Sequence, residues 1–155
     1  MRRFNFQRPE LRVEGDEPAG YNSRYAPIDT EIGAEHLGGN LAELGPGQHS
    51  SPYHWEAGRE EWLFVLTGRP TVRTPEGERE LRAGDILCFP PGPEGAHTLT
   101  NHGDEPSRII IVSDRTMPNA VIYPDSDKIA INFSSTERSQ MFRRETSVDY
   151  WDRES

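Results

Sequence analysis

The sequence predicts an all-β fold, a barrel or sandwich of short strands, from two observations. Short apolar segments alternate with turn-forming segments between residues 38 and 115. The chain also spreads 14 glycines and 13 prolines along its 155 residues, which is typical of many tight turns and not of disorder. A chain of this length can bury a core of its own. We therefore expect one domain, residues 1–155, with its barrel core at about 38–115.

Each expected strand of the core ends at a turn signal. Gly45, Pro46 and Gly47 close the first strand, Gly68 closes the second, and the segment "PEG" turns a hairpin. The segments that predict strands are, in chain order, "NLAELGPG", "EWLFVLTG", "PTVRT", "ERELR", "DILCFP", "AHTLTN" and "SRIIIVSD". Strands this short and this regularly spaced indicate a closed barrel or a two-sheet sandwich.

Two arms flank this core and show little periodicity. Residues 1–37 are polar and irregular, and we expect them to lie across the barrel or a partner subunit. In the second arm, residues 116–155, "VIYPDSDKIAINF" predicts one or two further strands and "QMFRRETSVDYWD" predicts a short helix.

The charge of the chain argues against nucleic acid as a partner. Acidic residues outnumber basic ones by 26 to 17, for a net charge of −9, whereas phosphate binding needs clustered lysine and arginine. The same balance does not favour anionic sugar phosphates as substrates, unless a bound metal reverses the local field.

The compartment can be inferred from cysteine usage and hydropathy. A single cysteine, Cys88, excludes an intramolecular disulfide and is compatible with a reducing cytoplasm, and its place in "DILCFP" predicts a buried thiol. No segment approaches the roughly 18 apolar residues of a membrane span, and no apolar region follows the basic start of the chain. We expect a soluble, cytoplasmic protein without a membrane partner.

The segment "SPYHWEAGREEWLFVLTG", residues 51–68, carries possible metal ligands at the start of a strand. In extended backbone His54 and Glu56 share one face. Glu61 shares the inward face of the next strand with Leu63, so Glu60 points to solvent.

A second histidine lies downstream, in "GAHTLTN", where His97 and Asn101 share one face of a strand. If these strands line one barrel, His54, Glu56, Glu61 and His97 can converge. Such a set suits a divalent ion such as iron, manganese, nickel or zinc, and includes the two-histidine, one-carboxylate arrangement. From spacing alone, the more common alternative is two hydrogen-bonded core histidines with the glutamates at the surface.

Beyond spacing, the sequence resembles the cupin superfamily in two motifs. The residues that match the first motif are His54, Glu56, Glu61 and Gly68. Those that match the second, in "GDILCFPPGPEGAHTLTN", are Gly84, Pro90, Gly92, His97 and Asn101. The segments "PEGAH", "YPDSDK" and "VDYWD" also resemble a group of small bacterial cupins of largely unassigned function. This likeness covers roughly residues 4–153.

The resemblance implies a double-stranded β-helix, or jelly-roll barrel, with a divalent metal inside. It also implies a homodimer whose arms help to seal the interface. The sequence departs from the common pattern at Glu56, which stands where the first motif usually has its second histidine. Glu56 is therefore either a metal ligand or a catalytic base. Two extra residues also separate Gly92 from His97.

These observations lead to one leading expectation and two alternatives. The leading one is a metal-dependent enzyme that acts on a small polar organic molecule, with isomerase- or oxygenase-type chemistry. The first alternative is a non-catalytic module that binds a small ligand or a metal. The second is a structural dimer with an empty site. The same fold serves many activities, so the site must decide among them.

Overall fold

The structure, a computed structural model, describes residues 1–13, 15, 17–134 and 139–154. Most of its regular secondary structure is β-strand. The strands are, in chain order, β1 (Arg24–Pro27), β2 (Leu37–Leu44), β3 (Trp55–Glu56), β4 (Glu61–Thr67), β5 (Thr71–Thr74), β6 (Gly77–Glu80), β7 (Ile86–Phe89), β8 (Thr98–Thr100), β9 (Ser107–Asp114), β10 (Asn119–Tyr123), β11 (Lys128–Asn132) and β12 (Gln140–Arg143). Every strand that the sequence predicts in the core is present.

Short helices join some of these strands. The α-helix α1 (Ile28–Ile32) ends at Gly33, whose φ of 73° is the left-handed conformation that glycine adopts readily. Turns of 3₁₀-helix cover Pro93–Gly95, Pro124–Ser126 and Arg144–Thr146. Among the described residues, no helix is long and apolar enough to cross a membrane.

Within the described ranges the strands form three antiparallel sheets. Their strand orders are β1-β2-β9-β4-β7, β12-β11-β10-β3 and β6-β5-β8. In the first sheet β4 lies between β9 and β7, so that Glu61 pairs with Ser113 on one side and Phe89 on the other. The first and third sheets enclose the core, and the fold is the all-β jelly-roll barrel that the sequence predicts.

The core lies between the inner faces of these strands. Strand β4 shows the alternation that builds it: Glu61, Leu63 and Val65 are buried, whereas Trp62, between the first two, is 47% exposed. The strand ends at Gly68, with a φ of 81°. A Cβ atom there would lie 2.7 Å from the Cα of Ser107, so this position requires glycine.

Strand β7 corrects the prediction for Cys88. The sequence predicts a buried thiol from the continuous apolar run, but Cys88 is exposed. Leu87 and Phe89 face the core, and the alternating positions Ile86 and Cys88 face outward. Ile86 is 61% exposed, so this sheet presents apolar side chains on its outer face.

The two arms contain more regular structure than the sequence predicts. The first arm holds β1 and α1, and its Gly20 carbonyl accepts a 2.7 Å hydrogen bond from the backbone N–H of His49. In the second arm "VIYPDSDKIAINF" forms the β10–β11 hairpin, as predicted. The segment predicted to contain a short helix begins with β12 and continues with the 3₁₀ turn Arg144–Thr146. Strand β10 pairs with β3, which brings the C-terminal sheet beside the segment that holds His54 and Glu56.

Candidate metal centre

The two histidines of the candidate site are placed by a direct backbone pair. The N–H of His54 donates to the carbonyl of His97 at 3.1 Å, and the N–H of His97 donates to the carbonyl of His54 at 2.8 Å. Residues that exchange both hydrogen bonds lie directly opposite each other with their side chains on one face. Their ring centroids are 4.9 Å apart.

The hydrogen bonds of the two imidazoles select their tautomers. Nδ1 of His54 lies 2.9 Å from the carbonyl oxygen of Pro52, and Nδ1 of His97 lies 2.9 Å from that of Gly95. A carbonyl oxygen only accepts hydrogen bonds, so each Nδ1 carries the proton. Each Nε2 therefore presents a lone pair, which is the form in which histidine binds a metal.

Glu61 completes this arrangement from the first position of β4. Its Oε2 lies 3.5 Å from Nε2 of His97 and 3.8 Å from Nε2 of His54. The ligand atoms of the three residues all lie within 4.8 Å of one another. Two nitrogen lone pairs and a carboxyl oxygen thus face each other, and neither imidazole places an N–H between them. A divalent cation satisfies such a set, and the donors suit iron, manganese, nickel or zinc.

Burial sets the protonation of these groups in the metal-free protein. Desolvation, together with the nearby charge of Glu56, raises the pKa of Glu61 to about 7. Desolvation and the neighbouring His54 lower the pKa of His97 to about 4, and desolvation also lowers the pKa of His54. Both imidazoles are therefore neutral near pH 7 and have lone pairs available for a cation.

Phe89 holds the ring of His97 in place. The two rings are stacked, with centroids 3.7 Å apart and planes 4° apart. Phe89 is also the cross-strand partner of Glu61. The pairing of β4 with β7 therefore places Glu61, one candidate metal ligand, beside Phe89, which packs against His97, another candidate ligand.

Glu56 lies beside this group, on β3. Its Oε2 accepts a 2.7 Å hydrogen bond from Nδ2 of Asn119 and lies 3.6 Å from Nε of Arg59. Burial raises the pKa of Glu56, while Arg59 and Asn119 act in the opposite direction. The ligand atoms that cluster within 4.8 Å, in the described part of the chain, belong to His54, Glu61 and His97. Whether Glu56 ligates or acts as a base stays a prediction.

Sequence reasoning missed the residues that surround Glu56. Arg59 follows it by three positions and could have been noticed from that spacing. Asn119 and Tyr123 come from β10, and no local signal predicts that β10 pairs with β3. The ring of Tyr123 lies 5.8 Å from that of His54.

The remaining conspicuous polar residues have structural roles. His49 is half-buried, and its Nδ1 lies 2.8 Å from the hydroxyl of Thr100, away from the candidate ligands. Asn101 is buried and braces a turn, because its Nδ2 donates to the carbonyls of Leu44 and Glu105.

Comparison with known proteins supports the fold. A family model described as a cupin domain matches residues 40–113. No curated protein sequence matches the chain. Among solved structures, a cupin-superfamily sugar phosphate isomerase from Silicibacter pomeroyi DSS-3 is 24% identical with a TM-score of 0.81. The alignment covers 97% of this chain and 98% of the other.

Two further structures are similar. A proposed sugar phosphate isomerase from Acidithiobacillus ferrooxidans is 22% identical with a TM-score of 0.81, and the alignment covers 94% of each chain. The polyketide cyclase RemF from Streptomyces resistomycificus is 21% identical with a TM-score of 0.62, over 77% of this chain and 83% of the other. At these identities the likeness shows the fold and not the activity. Together with the domain match and the two motifs, it shows that this chain has the cupin fold, with residues 40–113 as the part that matches the domain.

Proposed function

We propose that this protein is a metal-dependent enzyme that isomerises a small polar organic molecule. His54, Glu61 and His97 hold a divalent ion of iron, manganese, nickel or zinc, and Glu56 transfers a proton. The observation that supports this proposal is the meeting of two Nε2 lone pairs and a carboxylate, with a second half-buried carboxylate beside them.

The chain's own residues suit proton transfer. Asn119 donates to one oxygen of Glu56 and so orients its carboxylate. Burial raises the pKa of Glu56 toward neutral pH, where a carboxylate is a more effective general base. A bound divalent ion would polarise a carbonyl or hydroxyl oxygen of the substrate. Glu56 would take the proton from the hydroxyl-bearing carbon next to the carbonyl carbon and return it to the former carbonyl carbon. The hydroxyl proton would move to the former carbonyl oxygen, so that the isomerisation leaves the number of protons unchanged.

An oxygenase is the second candidate within the enzyme class. Two histidines and one carboxylate are the ligand set of non-haem iron oxygenases, which leave further positions open. The native metal separates the two reactions: zinc or nickel favours proton transfer, and iron with consumption of oxygen favours oxygenation.

A non-catalytic cupin that binds a small ligand or a metal is the alternative from a different class. It would bind the metal through the same three residues, and Glu56 would have no role in turnover. A Glu56→Gln variant therefore separates the two classes, since it keeps the shape of the side chain and removes the base.

Elemental analysis tests the metal site directly. Protein purified without a chelator or a histidine tag is compared with a His54→Ala/His97→Ala double variant, and exposed His102→Ala serves as the matched control. We expect about one metal per chain in the wild type and in His102→Ala, and almost none in the double variant. A wild type that stays metal-free after reconstitution with all four metals contradicts the proposal.

Catalysis is tested by carbon-bound hydrogen exchange in deuterated water with a panel of hydroxy-aldehydes and hydroxy-ketones. We expect Glu56→Gln to retain its metal and to lose about 100-fold or more of the exchange rate. Loss of the metal in this variant would instead identify Glu56 as a ligand. Ligand binding without exchange in the wild type would favour the non-catalytic module.

We also propose that the protein is a homodimer. The outer face of the first sheet exposes Leu37, Trp62 and Ile86 by 51%, 47% and 61%. Tyr150 and Trp151 are exposed in the C-terminal arm. Contiguous apolar surface of this kind usually marks an interface. Light scattering should give twice the chain mass of 17.6 kDa, and a Trp62→Glu/Ile86→Glu variant should give the mass of one chain.

A further inference from the structure

A cavity of about 470 Å³ opens at the end of the barrel and reaches Glu61. Three residues that lie side by side on neighbouring strands form its floor: Gly38 of β2 pairs with Ser113 of β9, and Ser113 pairs with Glu61 of β4. The side chains that line it are polar or charged apart from Ile111 and Met117. Two of them are arginines, Arg59 and Arg115.

Arg59 is well placed to bind a ligand in this cavity. Its side chain is 13% exposed. Nε donates to the carbonyl of Thr116 at 3.0 Å, and Nη2 donates to the sulfur of Met117 at 3.2 Å. Among the described residues none accepts a hydrogen bond from Nη1. The guanidinium is thus held along one edge, with donors left for a molecule in the cavity.

Arg115 lines the same cavity from the end of β9. It forms an ion pair with Asp29 of α1, which holds its guanidinium at the wall. Gly38 lies beside it: a Cβ atom at that position would be in ordinary contact with Nε of Arg115, at 3.8 Å, and with the hydroxyl of Ser113, at 3.5 Å. A larger side chain at position 38 would fill the space between the guanidinium and the cavity floor.

The charge of this cavity differs from that of the whole chain. The chain carries a net charge of −9, whereas two guanidiniums and the carboxylates of Asp29 and Glu61 line the cavity, with the carboxylate of Glu56 3.6 Å from Nε of Arg59. A divalent cation held by Glu61 and the two histidines would make the two guanidiniums and the ion together exceed the three carboxylates. Planar guanidinium groups bind carboxylate and phosphate through two parallel hydrogen bonds, and they do so most strongly where water is excluded.

We infer that the substrate is an organic anion, whose carboxylate or phosphate group binds Arg59 in this cavity, with Arg115 as a second cation. The inference rests on the proposed function, because it names the substrate class of the same site. Arg59 acts as a specificity-determining residue: it binds the anionic end and leaves the reactive end of the molecule toward Glu61. The acidic character of the chain as a whole does not oppose such a substrate, since the field inside the cavity is local.

Isothermal titration calorimetry with two probes, inorganic phosphate and succinate, tests this inference. Each is titrated at low ionic strength into nickel-loaded and into metal-free protein. The variants are Arg59→Gln, Arg59→Lys and Arg115→Gln. The matched control is Arg73→Gln, which removes an arginine that pairs with Asp125 outside the cavity. The probe that binds more tightly identifies the anionic group.

We expect Arg59→Gln to weaken binding of the better probe at least tenfold, and Arg115→Gln to weaken it several-fold. Arg59→Lys keeps the positive charge but lacks the planar guanidinium group. We expect its affinity for the better probe to fall several-fold, with no change in melting temperature. Nickel stoichiometry should stay the same in all variants, and Arg73→Gln should bind like the wild type.

Other outcomes overturn the inference. Equal affinities in the wild type, Arg59→Gln and Arg59→Lys would mean that the metal alone holds the anion. Equal weakening in Arg73→Gln would mean that only overall charge matters. Failure of both probes to bind at millimolar concentration would also overturn it. The proposed function can fail independently of this inference. In that case the wild type takes up no metal, but the metal-free protein still binds the anion and Arg59→Gln weakens that binding.

Discussion

The imidazole of His97 lies parallel to the phenyl ring of Phe89, with the ring centroids 3.7 Å apart. With Nδ1 of His97 bonded to the carbonyl of Gly95, this stack leaves the ring no freedom to turn. Its Nε2 is therefore directed at Glu61, the residue opposite Phe89 on the neighbouring strand. The geometry of the candidate centre depends on a residue that cannot itself bind a metal.

Replacing Phe89 by leucine should weaken metal binding. Without the stacked ring His97 can rotate, and we expect about a tenfold loss of metal affinity, as is typical when a group that orients a ligand is removed. Loss of the buried ring should also lower the free energy of unfolding by about 1–2 kcal/mol. Competition with a chromophoric chelator measures the first effect and urea unfolding the second. Phe64→Leu, on the outer face of β4, is the control, and equal metal affinity in both variants would contradict this role.

Metal should stabilise the wild type and not the double histidine variant. A ligand that binds only the native state at 100 times its Kd adds about 2.7 kcal/mol. For a chain of this size that corresponds to a rise in Tm of roughly 5–10 °C. Differential scanning calorimetry with added metal, and then with excess chelator, measures the shift. A wild-type Tm that responds to neither would count against the centre, as would an equal response in His54→Ala/His97→Ala.

The pH dependence of the metal-free protein should report Glu61. Its pKa is about 7 in the folded protein, whereas a glutamate carboxyl group in the unfolded chain has its ordinary pKa of 4.5, so the folded state binds more protons between these two values. Its contribution to stability is therefore complete below pH 4.5 and is lost as the pH rises through 7. Glutamine does not ionise, so the Glu61→Gln variant should not lose this stability as the pH rises. The free energy of unfolding of the variant, relative to the wild type, should rise by about 2 kcal/mol between pH 5 and pH 8.

Urea unfolding in the presence of a chelator measures this difference. His97 works in the opposite direction, because its lowered pKa gives stability above pH 6.5 that is lost as the pH falls through about 4. His97 is present in both proteins, so its contribution cancels in the comparison. A difference that stays constant with pH would show that Glu61 ionises normally in the folded protein.

Gly95 should tolerate no side chain. A Cβ atom at this position would lie 1.9 Å from the carbonyl oxygen of Pro90, so Gly95→Ala must displace the loop whose carbonyl accepts the proton of His97. We expect destabilisation by several kcal/mol or failure to fold. Gly58→Ala is the matched control, since its Cβ would meet only the side-chain oxygen of Asn119 at 3.5 Å. Thermal unfolding of both variants measures the effect, and equal melting temperatures would contradict it.

The strands of the barrel could be predicted because apolar and polar side chains alternate along them or because turn-forming residues mark their ends. Glu61, Leu63 and Val65 share one face of β4 in sequence and in structure. The prediction for Cys88 was wrong because "ILCF" is apolar on both faces, and such a run does not tell which face the core covers. Strand β12 is exposed along its whole length, and so it has no alternation from which to predict it.

The candidate ligands could be predicted from two motifs, but their surroundings could not. Each motif places its own residues on a strand, and the approach of His54 to His97 follows from the fold that the motifs imply. Asn119 reaches Glu56 only because β10 pairs with β3, which are more than 60 residues apart in the chain. The cavity near Glu61 depends equally on such distant pairing, since Gly38 and Ser113 meet through the register of β2 and β9.

The backbone pair between His54 and His97 has a consequence for how the protein responds to the loss of a ligand. Two main-chain hydrogen bonds fix the spacing of the imidazoles when the chain folds, before any ion is bound. The conformational entropy of ordering these residues is therefore lost during folding and not during metal uptake. The site is pre-organised, so the amide hydrogens of His54 and His97 should exchange with solvent only through opening of the barrel, in metal-free and metal-loaded protein alike.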